Sequence, residues 1–169
     1  MSRAVNEHRA NAPTDLNLAV LTVSDTRTLE TDTSGATIVA MAEAAGHRVV
    51  DRAIVPDEPD RMTPLLRGFA GRGDVHAILI TGGTGISRRD QTYETVSALL
   101  TKPLPGFGEL FRMLSYAEIG PACILSRAVG GLFGEVVVLV MPGSRAAVEL
   151  AMGKIILPEL PHLVREAQR

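Results

Sequence analysis

A chain of 169 residues is long enough for one domain whose core folds unaided. Its 17 lysines and arginines against 19 acids leave no basic excess to neutralise a polyanion, which argues against nucleic-acid binding. Cys123 is the only cysteine, and His8, His47, His76 and His162 are scattered, so an intramolecular disulfide, a cysteine metal cluster and zinc-site spacing are all missing.

Residues 1–15 are polar and aperiodic and read as a mobile tail, leaving 16–169 as a single domain. The tail has no hydrophobic signal region, and no later apolar run is long enough to span a membrane, so the expected location is the cytoplasm. Leu18 to Val23 is a continuous apolar run closed by Ser24-Asp25, as suits a strand buried on both faces of a parallel sheet. Thr33 or Ser34 can cap a helix in which Ile38, Met41, Ala42 and Ala45 share a face and Gly46 stops it. Val49 to Val55 predicts a second strand, ending at Pro56-Asp57-Glu58. Met62, Leu65, Leu66 and Phe69 form a helical stripe that starts near Asp60 or Thr63, because Pro64 is not expected deep inside a helix.

Val75 to Ile80 predicts a third strand, running into Thr81-Gly82-Gly83-Thr84-Gly85 and then Arg88-Arg89-Asp90. Val96, Leu99 and Leu100 give the next helix, which starts near Thr92, its buried side before Pro103 and Pro105. Phe107, Leu110, Phe111 and Leu114 make another amphipathic helix, read as core packing with an oligomer contact as the competing reading. Pro121 to Gly134, with a turn at Gly130-Gly131, suits short strands or a hairpin. Val136 to Val140 is a further apolar strand, closed by Met141-Pro142-Gly143-Ser144. Ser144 can cap a helix carrying Val148, Ala151, Met152 and Ile155, which Pro158 ends before a closing helix with Leu160, Leu163 and Val164.

Strands alternating with helices predict an α/β fold: three layers, α/β/α, around a mainly parallel sheet. The loops at the carboxyl ends of its strands would then meet on one edge, where such sheets bind ligands. The glycine loop is the chemically specific one. Glycines bring main-chain N–H groups close to a ligand, and the helix behind them adds a partial positive charge, so the expected ligand is an anion, foremost phosphate. Neither a P-loop nor a dinucleotide fingerprint is present. Asp57 and Asp90 stand in two of these loops, where carboxylates beside a phosphate require a cation between them, and Mg²⁺ suits that donor set. The residues alone leave open a plain turn or capping role for each acid. Arg88 or Arg89 could clamp phosphate, and Glu94 suits the first turn of its helix.

The motif Thr81–Gly85, Arg89-Asp90, Thr92 and Glu94 resembles that of the molybdenum cofactor biosynthesis MogA/MoaB family, which includes the corresponding domains of gephyrin and plant Cnx proteins. Leu21 to Asp25, Asp32 to Gly35, Ala45 to His47, Gly106 to Glu109, Phe111 to Ser115, Ser126 to Val129 and Met141 to Ser144 extend the likeness over most of the chain, closest to the MoaB branch. The resemblance implies adenylylation of molybdopterin at its terminal phosphate by Mg·ATP, in a homotrimer or hexamer, with a molybdenum insertion enzyme as a further partner. It also implies that Asp57 and Asp90 are catalytic and hold Mg²⁺. Ser24, Asp25, Thr81, Gly82, Gly83, Thr84, Gly85, Arg89, Pro142, Gly143 and Ser144 would form the pterin and nucleotide cleft. Because some MoaB-branch members are thought to lack transfer activity, the alternative is a pathway protein that binds molybdopterin or a partner without chemistry.

Overall fold

The computed structural model describes Pro13 and residues 15–169. The tail expected over residues 1–15, with His8, lies outside the described residues except at Pro13 and Asp15. Six strands, β1 Asn17–Val23, β2 Arg48–Val55, β3 Ala77–Thr81, β4 Lys102–Pro103, β5 Val129–Phe133 and β6 Val136–Met141, form one sheet in the order β2-β1-β3-β6-β5-β4. The strands β2, β1, β3 and β6 are mutually parallel, while β5 runs antiparallel to both β6 and β4.

The unbroken apolar runs follow from burial on both faces. In β1, β3 and β6, Leu18, Val20, Leu79 and Leu139 point into one core, and Ala19, Leu21, Ile78, Ile80, Val138 and Val140 into the other. The first core is closed by α1 Thr33–Ala44, α4 Pro105–Ile119, α5 Arg145–Ala151 and α6 Leu157–Ala167, through Ile38, Phe111, Val148 and Leu160. The second is closed by α2 Pro59–Ala70 and α3 Thr92–Leu99, through Met62, Leu66, Phe69 and Val96. This is the expected three-layer α/β fold. Among the described residues, no helix is long and apolar enough to cross a membrane.

Several boundaries differ from the periodicity, each for a physical reason. Asp32, rather than Thr33 or Ser34, caps α1: its Oδ1 accepts the Gly35 N–H at 2.9 Å, while the Ser34 hydroxyl donates to the Gly143 carbonyl at 2.7 Å. Helix α2 starts one residue before Asp60, at Pro59, whose missing N–H has no partner in a first turn anyway, and it tolerates Pro64 inside. That lost hydrogen bond is outweighed by burial of Met62, Leu66 and Phe69. Pro158 does not end the helical stretch. A π-helical turn, Met152–Ile156, widens the spiral between α5 and α6, and the axis continues past a residue that has no N–H to donate.

The region after α4 divides into a 3₁₀ turn, Gly120–Leu125, and the β5–β6 hairpin. Gly130-Gly131 lies inside β5 and is not its turn. A side chain at Gly131 would overlap the Lys102 carbonyl of β4, so glycine serves close strand approach there, and the chain reverses instead at Gly134, with φ +63°. Helix α4 buries Phe107 and Phe111 but leaves Met113 and Tyr116 on an open outer face.

Candidate functional site

From β1 the chain crosses to β2 on one side and reaches β3 on the other. The loops leaving the carboxyl ends of β1 and β3 therefore part, and a crevice opens between them. A polar cavity of about 330 Å³ lies there, walled by Ser24, by Thr81 through Gly85, and by Asp90 and Gly143. Eight of the predicted residues thus share one wall. Pro142 and Ser144 face a second cavity of about 300 Å³ instead, which is lined mainly by apolar residues such as Phe111, Leu125 and Leu150. Thr84 and Gly85 border both cavities, so the two share a wall.

The loop geometry needs its glycines. Gly82 has φ +103° and runs against the Val23 carbonyl, and its N–H donates to the Met141 carbonyl at 3.1 Å. Gly83 has φ +63°, and a side chain there would overlap the Asp57 carboxylate and the Thr92 hydroxyl. The Thr81 hydroxyl donates to the Pro142 carbonyl at 3.0 Å, tying the loop after β3 to the loop after β6.

Asp57 is buried beneath this loop and lines neither of the two cavities. Its Oδ1 accepts the Gln91 N–H at 3.1 Å and the Thr92 hydroxyl at 3.2 Å, which anchors the start of α3. Thr92, read as a helix-start residue, spends its hydroxyl on this acid. Burial pushes the Asp57 carboxyl above the ordinary carboxylate range; the hydrogen bonds from Gln91 and Thr92 oppose this, and the charges of Asp90 and Asp25 add to it. Asp90 faces the polar cavity, and its Oδ2 accepts the Ser87 N–H at 2.9 Å. Asp57 and Asp90 each keep one carboxylate oxygen without a hydrogen bond among the described residues.

That donor set fits a cation which brings its remaining ligands with it. Two carboxylates plus phosphate oxygens and waters is a usual environment for Mg²⁺. Among the described residues, no group of three or more acidic, histidine or cysteine side chains could hold an ion without such help.

Arg89 and Asp25 line neither of these two cavities. They meet each other: Arg89 Nε and Nη2 reach the two Asp25 oxygens, both at 2.7 Å, and Nη2 reaches Glu58 at 3.1 Å. The fork holds the Asp25 carboxyl below its usual range, and the two acids hold the Arg89 guanidinium firmly charged. Asp25 also accepts the Asp57 N–H at 3.2 Å, so the loops after β1, β2 and β3 are joined. In this arrangement Arg89 is a strut, and the cation bordering the cavity is Arg27.

Sequence reasoning missed Arg27, Asp32, Ser34 and Arg127. Asp32 is buried in the cavity wall, where it accepts from Thr22 at 2.7 Å and pairs with Arg52 at 2.9 Å. Burial alone would raise its pKa, but the hydrogen bonds from Gly35, Arg52 and Thr22 prevail and hold the carboxyl below the ordinary range. An aspartate directly before the Thr33-Ser34 helix start was the available signal, since aspartate is a favoured cap. Arg127 donates to the Thr84 and Asp90 carbonyls; its place in the Ser126–Val129 stretch of the family likeness marked the residue, but nothing local marked its distant partners. Chemically, the first cavity offers main-chain groups, hydroxyls and one guanidinium to an anion, beside the Asp32 and Asp90 carboxylates, the first of them paired with Arg52; the second offers apolar surface to a flat ring.

A family model described as a probable molybdopterin binding domain matches residues 19–162. The chain is 51% identical over 164 residues to "Molybdenum cofactor biosynthesis protein B" of Halalkalibacterium halodurans, covering 96% of each. It superposes with a TM-score of 0.91, at 49% identity, on a crystal structure of a protein of that same description, covering 94% of this chain and 99% of that one. A "tungsten cofactor synthesizing protein MoaB" from Pyrococcus furiosus matches with a TM-score of 0.81 at 36% identity, over 94% and 100% of the two chains.

Proposed function

The chain belongs to the molybdopterin-binding domain family of molybdenum cofactor biosynthesis proteins, and from that premise we propose that it transfers AMP from Mg·ATP to the terminal phosphate of molybdopterin. The observation that carries this reading is the wall shared by the two cavities, Thr84-Gly85, with a polar space on one side and an apolar space on the other. A ligand with a phosphate and a ring system needs both.

A phosphate oxygen of the pterin attacks the α-phosphorus. A new P–O bond forms, the bond to the bridging oxygen breaks, and pyrophosphate leaves. The attacking monoester has a second pKa of about 6 and is already ionised at neutral pH, so no strong base is required. Catalysis then rests on alignment and charge neutralisation. Asp57 and Asp90, each with one carboxylate oxygen left over, would hold the Mg²⁺ that accompanies the triphosphate, and the ion would supply neutralisation of phosphate charge. Main-chain N–H groups from Gly83 to Gly85 and the Arg27 guanidinium hold phosphate oxygens. Ser24 and Gly143 complete the polar wall, and Pro142 and Ser144 the apolar one.

The test is AMP transfer with purified protein, molybdopterin and Mg·ATP, beside Asp90→Asn. Product from the wild type, with turnover at least about 10²-fold lower in the variant at an unchanged melting temperature, is the expected result. One observation favours a second reading. Arg89 is committed to Asp25 and Glu58, and Asp57 anchors α3, so two of the charged groups near the loop already have structural partners. A protein that binds pterin tightly but never forms the adenylylated product would be a carrier or partner protein of the pathway. For either reading we propose a homotrimer or hexamer, joined through the open face of α4, that delivers its ligand to a molybdenum insertion enzyme.

A further inference from the structure

A loop that binds its ligand through main-chain groups depends on whatever fixes its shape from outside. Part of the support is internal, where Asp90 and Ser87 exchange hydrogen bonds. From outside, Thr81 is tied to Pro142, Arg89 to Asp25 and Glu58, and Gln91 to Asp57, while the middle of the loop is reached by one side chain from the segment before β5. Arg127 Nε donates to the Thr84 carbonyl at 3.2 Å, and Nη2 to the Asp90 carbonyl at 3.4 Å. Nη1 pairs with Glu94 in the first turn of α3, and the guanidinium stacks over the Tyr93 ring with 5.1 Å to its centroid.

A single planar group therefore touches the glycine stretch of the loop at Thr84, its end at Asp90 and the helix behind it. We propose that Arg127 is the positioning residue of the glycine loop, setting the distance between Thr84, on the wall shared by the two cavities, and Asp90. It does not touch ligand; it decides where the loop holds ligand relative to Asp90. This rests on the reading of the loop as the ligand site given above. The rigid fork is what allows it, since a lysine ammonium has neither the reach nor the planar geometry to engage both carbonyls and Glu94 together. The preceding Leu125 and Ser126 line the apolar cavity, so the segment that braces one cavity also walls the other.

Arg127→Lys keeps the charge and removes the fork, and Glu94→Gln removes the ion pair while leaving the carbonyl contacts. Hydrogen exchange on the full chain, AMP-transfer kinetics and thermal melting would be followed for both. In Arg127→Lys, amide exchange over residues 82–91 should quicken by about tenfold, as expected for losing a charge-assisted hydrogen bond, with β1, β3 and β6 unchanged. Its kcat should fall by about 10²-fold, the effect of a misplaced reacting group, with KM moving far less. Glu94→Gln should shift exchange in the same residues by a smaller factor. Added guanidinium at a non-denaturing concentration should partly restore loop protection to Arg127→Ala. Unchanged loop exchange in Arg127→Lys would overturn the proposal. So would exchange that quickens equally throughout the sheet, because that marks an ordinary fold-stabilising pair. If the wild type transfers no AMP, the catalytic reading fails and the exchange result alone decides the role of Arg127.

Discussion

At the residue scale, two buried acids of the crevice have opposite effects on stability. The Asp57 carboxyl is held above the ordinary value of 3.8, chiefly by burial, so its protonated form is favoured by folding. Its contribution is complete below that ordinary value and is lost as pH rises through its own raised pKa. Asp32 is held below 3.8, because its hydrogen bonds outweigh its burial, so its contribution is present above that value and is lost as pH falls through the depressed one. Asp57→Asn should therefore melt higher than wild type at neutral pH and match it near pH 3, while transferring less AMP. Asp32→Asn should melt lower at neutral pH, by the equivalent of about 3 kcal/mol, because it leaves Arg52 without its charged partner, with only the main-chain carbonyl at position 32 to donate to. Chemical denaturation at the two pH values checks both signs. An Asp57→Asn variant less stable at neutral pH would show that the hydrogen bonds to Gln91 and Thr92 matter more than its desolvation. Gly83 is the other sensitive position. Gly83→Ala meets Asp57 and Thr92 at a φ that side chains rarely adopt, and should cost more than about 1 kcal/mol by denaturant titration.

At the scale of elements, polar groups at the ends of helices and strands link the crevice together. The cap on α1 is also a cavity wall, because Asp32 serves Gly35, Thr22 and Arg52 at once. The start of α3 is anchored by Asp57 from the loop after β2, and the loop after β6 is tied to β3 through Thr81. Each strand-ending loop thus depends on another, and loosening one should be felt in its neighbours. Arg127 variants are therefore expected to loosen the linked crevice loops while the strands of the sheet stay protected.

At the scale of the whole molecule, the outer face of α4 and the 3₁₀ turn leaves Met113 63%, Tyr116 59% and Ile124 78% exposed on adjoining elements. Such neighbouring apolar exposure suits a protein contact more than solvent. Met113→Asp should shift the molar mass seen by light scattering from a trimer or hexamer toward the monomer. An unchanged mass would place the interface elsewhere, and a monomeric wild type would end the oligomer proposal. The same helix turns Phe107 and Phe111 inward, so core packing and an open contact face occupy opposite sides of one element.

The sequence by itself determined the strands that carry the sheet, the glycine loop, the convergence of loops at one edge and the family. These are local records of burial and turn chemistry: a strand covered on both faces must be apolar throughout, and a tight loop at positive φ must be glycine. Only the tertiary structure decided the partners. Arg89 meets Asp25 across 64 residues and Arg127 meets Thr84 across 43, pairings set by strand order and register. Hydrophobic periodicity tells which face a residue takes, not which distant loop lies opposite it. The same limit separated Gly143 from Pro142 and Ser144, adjacent in the chain yet facing different cavities.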